Sequence, residues 1–215
     1  MTAAAFMTLL QGAGVTLAVS FAGILLGVPI GLGIALVRWG EVPVLRRVAA
    51  VYVSLIRSTP LVTLCLLIFF ASPSIGIDIG PVSAAVLAMT LNTSAFNSEV
   101  WRGGLVSFPK DQLEAARSFG MRPSGAFRRI VFPQLWRSAL PGLVNEMTLL
   151  IKGSPAIAVV GIVEVTRAAV RIGATTYEPL PPFLVATVLY IALVFGFVCL
   201  QRVSERTYGR AGASA

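Results

Sequence analysis

Long apolar stretches separated by short polar ones recur along the whole chain. About twenty consecutive apolar residues carry a helix across a bilayer, and segment 8–37 runs for thirty residues without a charge. Further apolar segments occupy 48–71, 81–100, 133–165 and 182–201. The pattern predicts an all-α membrane protein with about five transmembrane helices, one membrane domain over 8–201 and a tail at 202–215. Two segments are interrupted, the second by Arg57-Ser58-Thr59-Pro60 and the fourth by Lys152-Gly153-Ser154-Pro155. Proline frees a backbone carbonyl, so both interruptions predict broken helices. Gly23, Gly27 and Gly31 recur at every fourth position of the first segment. That small-residue stripe predicts close helix packing rather than a ligand site.

Composition supports the same picture. Hydrophobic residues make up 56% of the chain and charged residues 12%, with a mean hydropathy of +0.86. Soluble domains carry roughly 25% charged residues, so this chain has too little polar surface to face water all round. Residues 1–12 contain no Lys or Arg. The run that follows exceeds the about 7–15 residues of a secretory signal core, so it is expected to stay as a span. Histidine is absent, which excludes His catalysis, His metal ligation and the Ser-His or Cys-His arrangement of a hydrolase. Cys65 and Cys199 lie in apolar runs and build neither a disulfide framework nor a metal site. No catalytic residue, no metal and no cofactor is expected in this chain.

The charges set an orientation. Of 17 basic residues, 13 fall in alternate polar segments. Arg38, Arg46 and Arg47 follow the first span. The segment between the third and fourth spans holds Arg102 and, within the 107–133 loop, Lys110, Arg117, Arg122, Arg128 and Arg129, with Arg137 just after; Arg202, Arg206 and Arg210 lie in the tail. Positive residues collect on the cytoplasmic side. The N-terminus is therefore expected outside and the C-terminus inside. The net charge of +8 then reflects a face beside anionic membrane lipid. Basic residues interleaved with spans do not form the single patch that nucleic acid needs.

The 107–133 loop carries ordered signals. Pro109 suits a helix start and Gly120 the position just past its end. Asp111 and Glu114 lie early and Arg117 late, as the helix dipole favours. Pro123 is expected to start a second short helix and Pro133 to end it. A phosphate loop is excluded, because Ala126-Phe127 follows Gly125 where Lys and Ser or Thr are required. Spacing alone leaves two uses for this helical pair, capping the bundle or docking on a partner.

Glu114-Ala115-Ala116, three residues, Gly120, nine residues, then Ile130 and Pro133 resembles the Glu-Ala-Ala loop of type I ABC importer permeases, with Phe132 where that pattern has Leu. The resemblance implies coupling helices that seat on a separate ATPase, which binds ATP and Mg; Glu114 and Gly120 are the central positions. Arg57-Ser58-Thr59-Pro60-Leu61, Leu91-Asn92 with Ala95-Phe96, Glu99 and Arg102-Gly103-Gly104, and Asn145, Leu149 and Lys152 resemble the subfamily that takes up polar amino acids. That subfamily usually continues Lys-Asp-Thr-Ser-Leu, where this chain has Lys152-Gly153-Ser154-Pro155-Ala156. The implied partners are an ATP-binding subunit pair, a second permease copy or paralogue and an external solute-binding protein. The implied location is a bacterial inner membrane, and the implied mechanism is alternating access.

Ionisable groups at membrane depth cost about 2.5–3.5 kcal/mol on insertion scales and mark candidate function. Arg57 lies beside the Thr59-Pro60 break. Asn92 and Glu99 share a helix face, as do Asn145, Leu149 and Lys152. One expectation is a central cavity in which Arg57 or Lys152 meets a substrate carboxylate and Glu99 or Glu146 an amine. The other is that Arg–Glu and Lys–Glu pairs satisfy each other within the bundle. Two rival functions stand beside the importer: an ion-coupled secondary transporter using Glu99 or Glu146, and a membrane scaffold that transports nothing.

Overall fold

The computed structural model describes residues 2–40 and 42–209, without the side chains of 200, 201 and 203–209. Arg206 and Arg210, assigned to the basic tail, lie outside the described side chains. Every regular element among the described residues is helical. Helix α1 (Ala3–Trp39) is followed by α2 (Pro43–Ser58), α3 (Leu61–Ser74), α4 (Pro81–Val106) and α5 (Lys110–Ser118). A short helix α6 (Pro123–Ala126) passes through a π turn (Phe127–Val131) into α7 (Phe132–Lys152). A 3-10 turn (Ser154–Val160), α8 (Val165–Thr176) and α9 (Leu180–Gly209) complete the chain.

The centre of the molecule is the packing of α4 on α1, the most extensive helix contact present. The glycine stripe makes it possible. A Cβ on Gly23 would lie 2.7 Å from Met89 Cβ, and one on Gly27 would lie 2.5 Å from Thr93 Cβ. At Gly31 the obstacle is the Ser94 carbonyl at 2.9 Å. Without side chains there the two backbones close up, and dispersion contacts replace the hydrophobic drive that lipid cannot supply. Ala84, Ala85, Ala88 and Ala95 of α4 are likewise buried small residues.

Around this pair, α2, α3 and α7 pack on α4, while α8 and α9 pack on α1 and on each other. Phe21, Leu25 and Ile30 of α1 stay exposed, as do Leu184, Val188, Ile191 and Phe195 of α9. These are the apolar faces that a bilayer would cover.

The five predicted spans are not five straight helices. Ala3–Trp39 and Leu180–Cys199 are each long and apolar enough to cross a membrane unaided. The segment predicted at 48–71 is two helices meeting at 107°, because Thr59-Pro60 ends one ladder and starts another. The segment predicted at 133–165 ends as an α-helix at Lys152, bends by 40° into the 3-10 turn, and passes through Gly161 at φ +102° to α8. The fourth helix, α4, covers 81–100 and runs on to Val106, long enough for a bilayer but with Thr90, Thr93, Ser94, Asn97 and Ser98 among its buried residues.

Pro133 does not end the second helix of the loop. The chain runs unbroken from Pro123 to Lys152. Pro133 lies inside this continuous run, just past the π turn, whose altered bonding accommodates the missing N–H.

Candidate coupling element and translocation face

Helix α5 begins after Pro109, with Asp111 in its first turn and Arg117 in its last. It ends in a Schellman motif. Met121 N–H donates to the Ala116 carbonyl at 3.0 Å and Gly120 N–H to the Arg117 carbonyl at 2.9 Å. Gly120 has φ +72°, a region open to glycine at little cost. Ala116 and Leu113 turn inward, and Glu114, Ala115 and Arg117 face out.

The platform beneath is firm. Trp101, 1% exposed, gathers with Leu105, Phe108, Val131, Leu135 and Leu143, and the partly buried Leu113, Phe127 and Ile130 pack against them. Trp136 stacks on Trp101 at 5.7 Å between ring centres. Gln134 of α7 donates to Gln112 of α5 at 2.8 Å and to the Ile130 carbonyl at 3.1 Å, tying the two arms of the element together. Phe119, at the tip, is 88% exposed. This large apolar ring stands clear of the chain's own core.

Glu99 is placed at this same end of the bundle. One oxygen meets the Arg38 guanidinium and the other accepts from Arg102 Nε at 2.8 Å. Its carboxylate therefore joins α1 to α4 and is not open to an amine. Of the pairings considered from sequence, Glu99 takes neither Arg57 nor Lys152.

The remaining polar groups gather where the two helix breaks meet. A Cβ on Gly153 would lie 3.6 Å from Leu61 Cδ2, so the end of α7 abuts the start of α3. Thr59 Oγ1 donates to the Leu55 carbonyl at 2.8 Å, closing α2, and Pro60 caps α3. The Arg57 guanidinium lies over the Phe96 ring at 5.2 Å and within electrostatic reach of Glu146. Lys152 and Asn145 are exposed on α7, and Asn92 is half-buried on α4. Among the described residues these three side chains have no hydrogen bond or ion pair. The structure thus brings Arg57, Thr59, Pro60 and Lys152 to one region and leaves Glu99 out of it.

Sequence reasoning missed Glu164. It is fully buried and caps α8, accepting from Arg167 N–H at 2.6 Å and Thr166 N–H at 2.8 Å. Its one signal in the sequence is an acidic residue inside the apolar segment 133–165. Among the described residues no group of three metal-ligating side chains is present.

The family model for the binding-protein-dependent transport system inner membrane component matches residues 27–210. The nopaline transport system permease protein NocM of Agrobacterium fabrum is 38% identical over 93% of this chain and 87% of its own. The arginine transport system permease protein ArtQ of Bacillus subtilis is 31% identical over 92% and 91%. A crystal structure of an amino acid ABC transporter with histidines superposes with a TM-score of 0.84 at 33% identity, over 93% of this chain and 94% of the other. The methionine transporter MetNI, in an inward-facing form, shares the fold at a TM-score of 0.79 and 23% identity. The chain belongs to the permease family of ABC importers, the inner-membrane components of binding-protein-dependent transport systems.

Proposed function

We propose that this permease forms half of a pore for polar amino acids or conjugates of them, moved by ATP hydrolysis on a separate pair of subunits. The observation that carries the reading is the rigid α5–Gly120 element, with Glu114 and Phe119 exposed at the end that gathers the basic residues. Rigidity matters because only a stiff lever transmits displacement into a bundle with two packings. Glu114, Ala115, Ala116, Gly120, Ile130 and Pro133 form this lever and its root. ATP and Mg are bound by the partner ATPase. The element lies in the cytoplasm, with the N-terminus outside and the C-terminus inside, and a solute-binding protein delivers cargo at 72–80 and 166–182. A second copy or a paralogue closes the pore.

The nopaline and arginine relatives support a solute carrying both amino and carboxylate groups. Arg57, Thr59, Pro60, Asn92, Asn145 and Lys152 line its path. Arg57 and Lys152 take the carboxylate, and Glu146 the amine. The ion-coupled alternative is weakened at Glu99, whose two oxygens are already held by guanidinium groups.

Reconstitution with the ATPase pair and binding protein tests the reading. Addition of the transported amino acid is expected to stimulate ATP hydrolysis. Arg57→Ala and Lys152→Ala are each expected to cut uptake at least tenfold in complexes that still assemble. Unimpaired uptake in both variants would remove the proposed path.

A further inference from the structure

Glu164 has no cationic partner among the described residues although its side chain is 0% exposed. Its oxygens are nonetheless fully engaged. Beyond capping α8, Oε2 accepts the Tyr190 hydroxyl at 2.8 Å. The same hydroxyl oxygen lies 3.1 Å from Thr166 Oγ1 and 3.2 Å from the buried Ser154 Oγ. Ser154 opens the 3-10 turn that follows Lys152. Arg167 of α8 donates to the carbonyl of Ala158, further along the same turn. Helix α8 therefore holds the turn at two points, once through α9.

A buried carboxylate is costly inside a membrane protein. Capping alone does not explain it, since Ser, Thr or Asn would cap α8 with less charge to desolvate. What glutamate adds is a third bond, reaching α9 and through Tyr190 the turn itself. The fit is close on the other side too. A Cβ on Gly12 would lie 3.1 Å from the Glu164 carbonyl carbon, and Thr16 Oγ1 accepts from Val165 N–H at 3.4 Å. The cap is thus wedged against α1.

We propose that Glu164, Tyr190 and Ser154 form a buried strut by which α8 sets the position of the helix break after Lys152. Glu164 and Tyr190 are positioning residues for transport. This rests on the import reading, in which α8 lies on the face that receives the binding protein. Docking there shifts α8, and the strut carries the shift to the solute path.

Two measurements test it. The first needs no solute. A nitroxide label is placed at Val159→Cys, on the exposed side of the turn, in the full chain in nanodiscs with Cys65 and Cys199 changed to Ala. Tyr190→Phe or Ser154→Ala is expected to raise the mobile spectral component at least twofold, and the double variant to add nothing further. A label at Val106→Cys on α4 is expected to stay unchanged. An unaltered spectrum at 159, or equal loosening at 106, overturns the strut.

The second measurement is the ratio of stimulated to unstimulated ATP hydrolysis in the assembled transporter, a ratio independent of how much complex forms. L-arginine, L-glutamine and nopaline are the probe solutes. Tyr190→Phe is expected to lower the ratio at least threefold. A retained ratio overturns the transmitting role. A wild-type complex deaf to all three solutes counts against the import reading instead, and the label at 159 still decides the strut.

Discussion

Glu99 shows how a residue's partners decide its role. Its carboxylate bridges Arg38 on α1 and Arg102 one turn along α4. Hydrogen bonds to charged groups contribute about 1.5–3 kcal/mol, and the partial exposure of these three side chains places this bridge toward the lower end. Glu99→Gln is expected to lower unfolding stability by about 1–2 kcal/mol, measured in detergent, with solute preference unchanged. At Gly120 the constraint is the backbone. An alanine at φ +72° costs about 1–2 kcal/mol in the left-handed region. Gly120→Ala is therefore expected to weaken ATPase binding about tenfold, measured by surface plasmon resonance on nanodiscs, while melting of the bundle barely moves.

Helix α1 carries its own internal control. Gly27 faces Thr93 at 2.5 Å from where a Cβ would stand, whereas Gly14 and Gly33 have nothing within 4 Å. Overpacking costs about 1–3 kcal/mol. Gly27→Val is expected to separate α1 from α4 and lower the melting temperature of the purified chain. Gly33→Ala is expected to leave it unchanged or raise it slightly. This contact was legible in the sequence because the four-residue glycine period has one efficient use in lipid. The α5 helix and its glycine stop were legible for a similar reason, since Pro109, Asp111, Arg117 and Gly120 are local signals. The 107° bend at Thr59-Pro60 was legible as a break but not as an angle, which packing against α4 decides. Pro133 misled because a proline that commonly ends a helix is tolerated within one beside a π turn. Glu164 shows in the sequence only as a lone charge in an apolar segment, because its link to Tyr190 and through it to Ser154 is made by the fold alone.

At the scale of the whole molecule the asymmetry of charge is the leading fact. Arg38, Arg102, Lys110 and Arg117 lie at or near one end of the bundle together with Glu99 and the α5 element. Lys110 is consequently expected to resist a membrane-impermeant amine reagent in intact cells and to react in inverted vesicles. Labelling of Lys110 from outside would reverse the topology and remove the basis for ATPase docking. The exposed apolar face of α9 gives a second check. Val188→Lys, facing lipid in the middle of a span, is expected to cost about 2.5–3.5 kcal/mol of insertion free energy, read as reduced yield in the membrane fraction.

The 107° junction of α2 and α3 also bears on how the chain fares outside the proposed complex. Helix α3 has 14 residues, about 21 Å of rise against a hydrocarbon thickness of about 30 Å. Helix α3 alone is thus too short to cross a bilayer, and on the proposed half-pore reading a lone subunit would have to thin the membrane or draw headgroups in to cover the shortfall. A second permease, as proposed above, would relieve such a deformation. An unmated chain should accordingly be a preferred substrate of membrane proteolysis, with a turnover half-life that lengthens several-fold when its partner subunits are co-expressed.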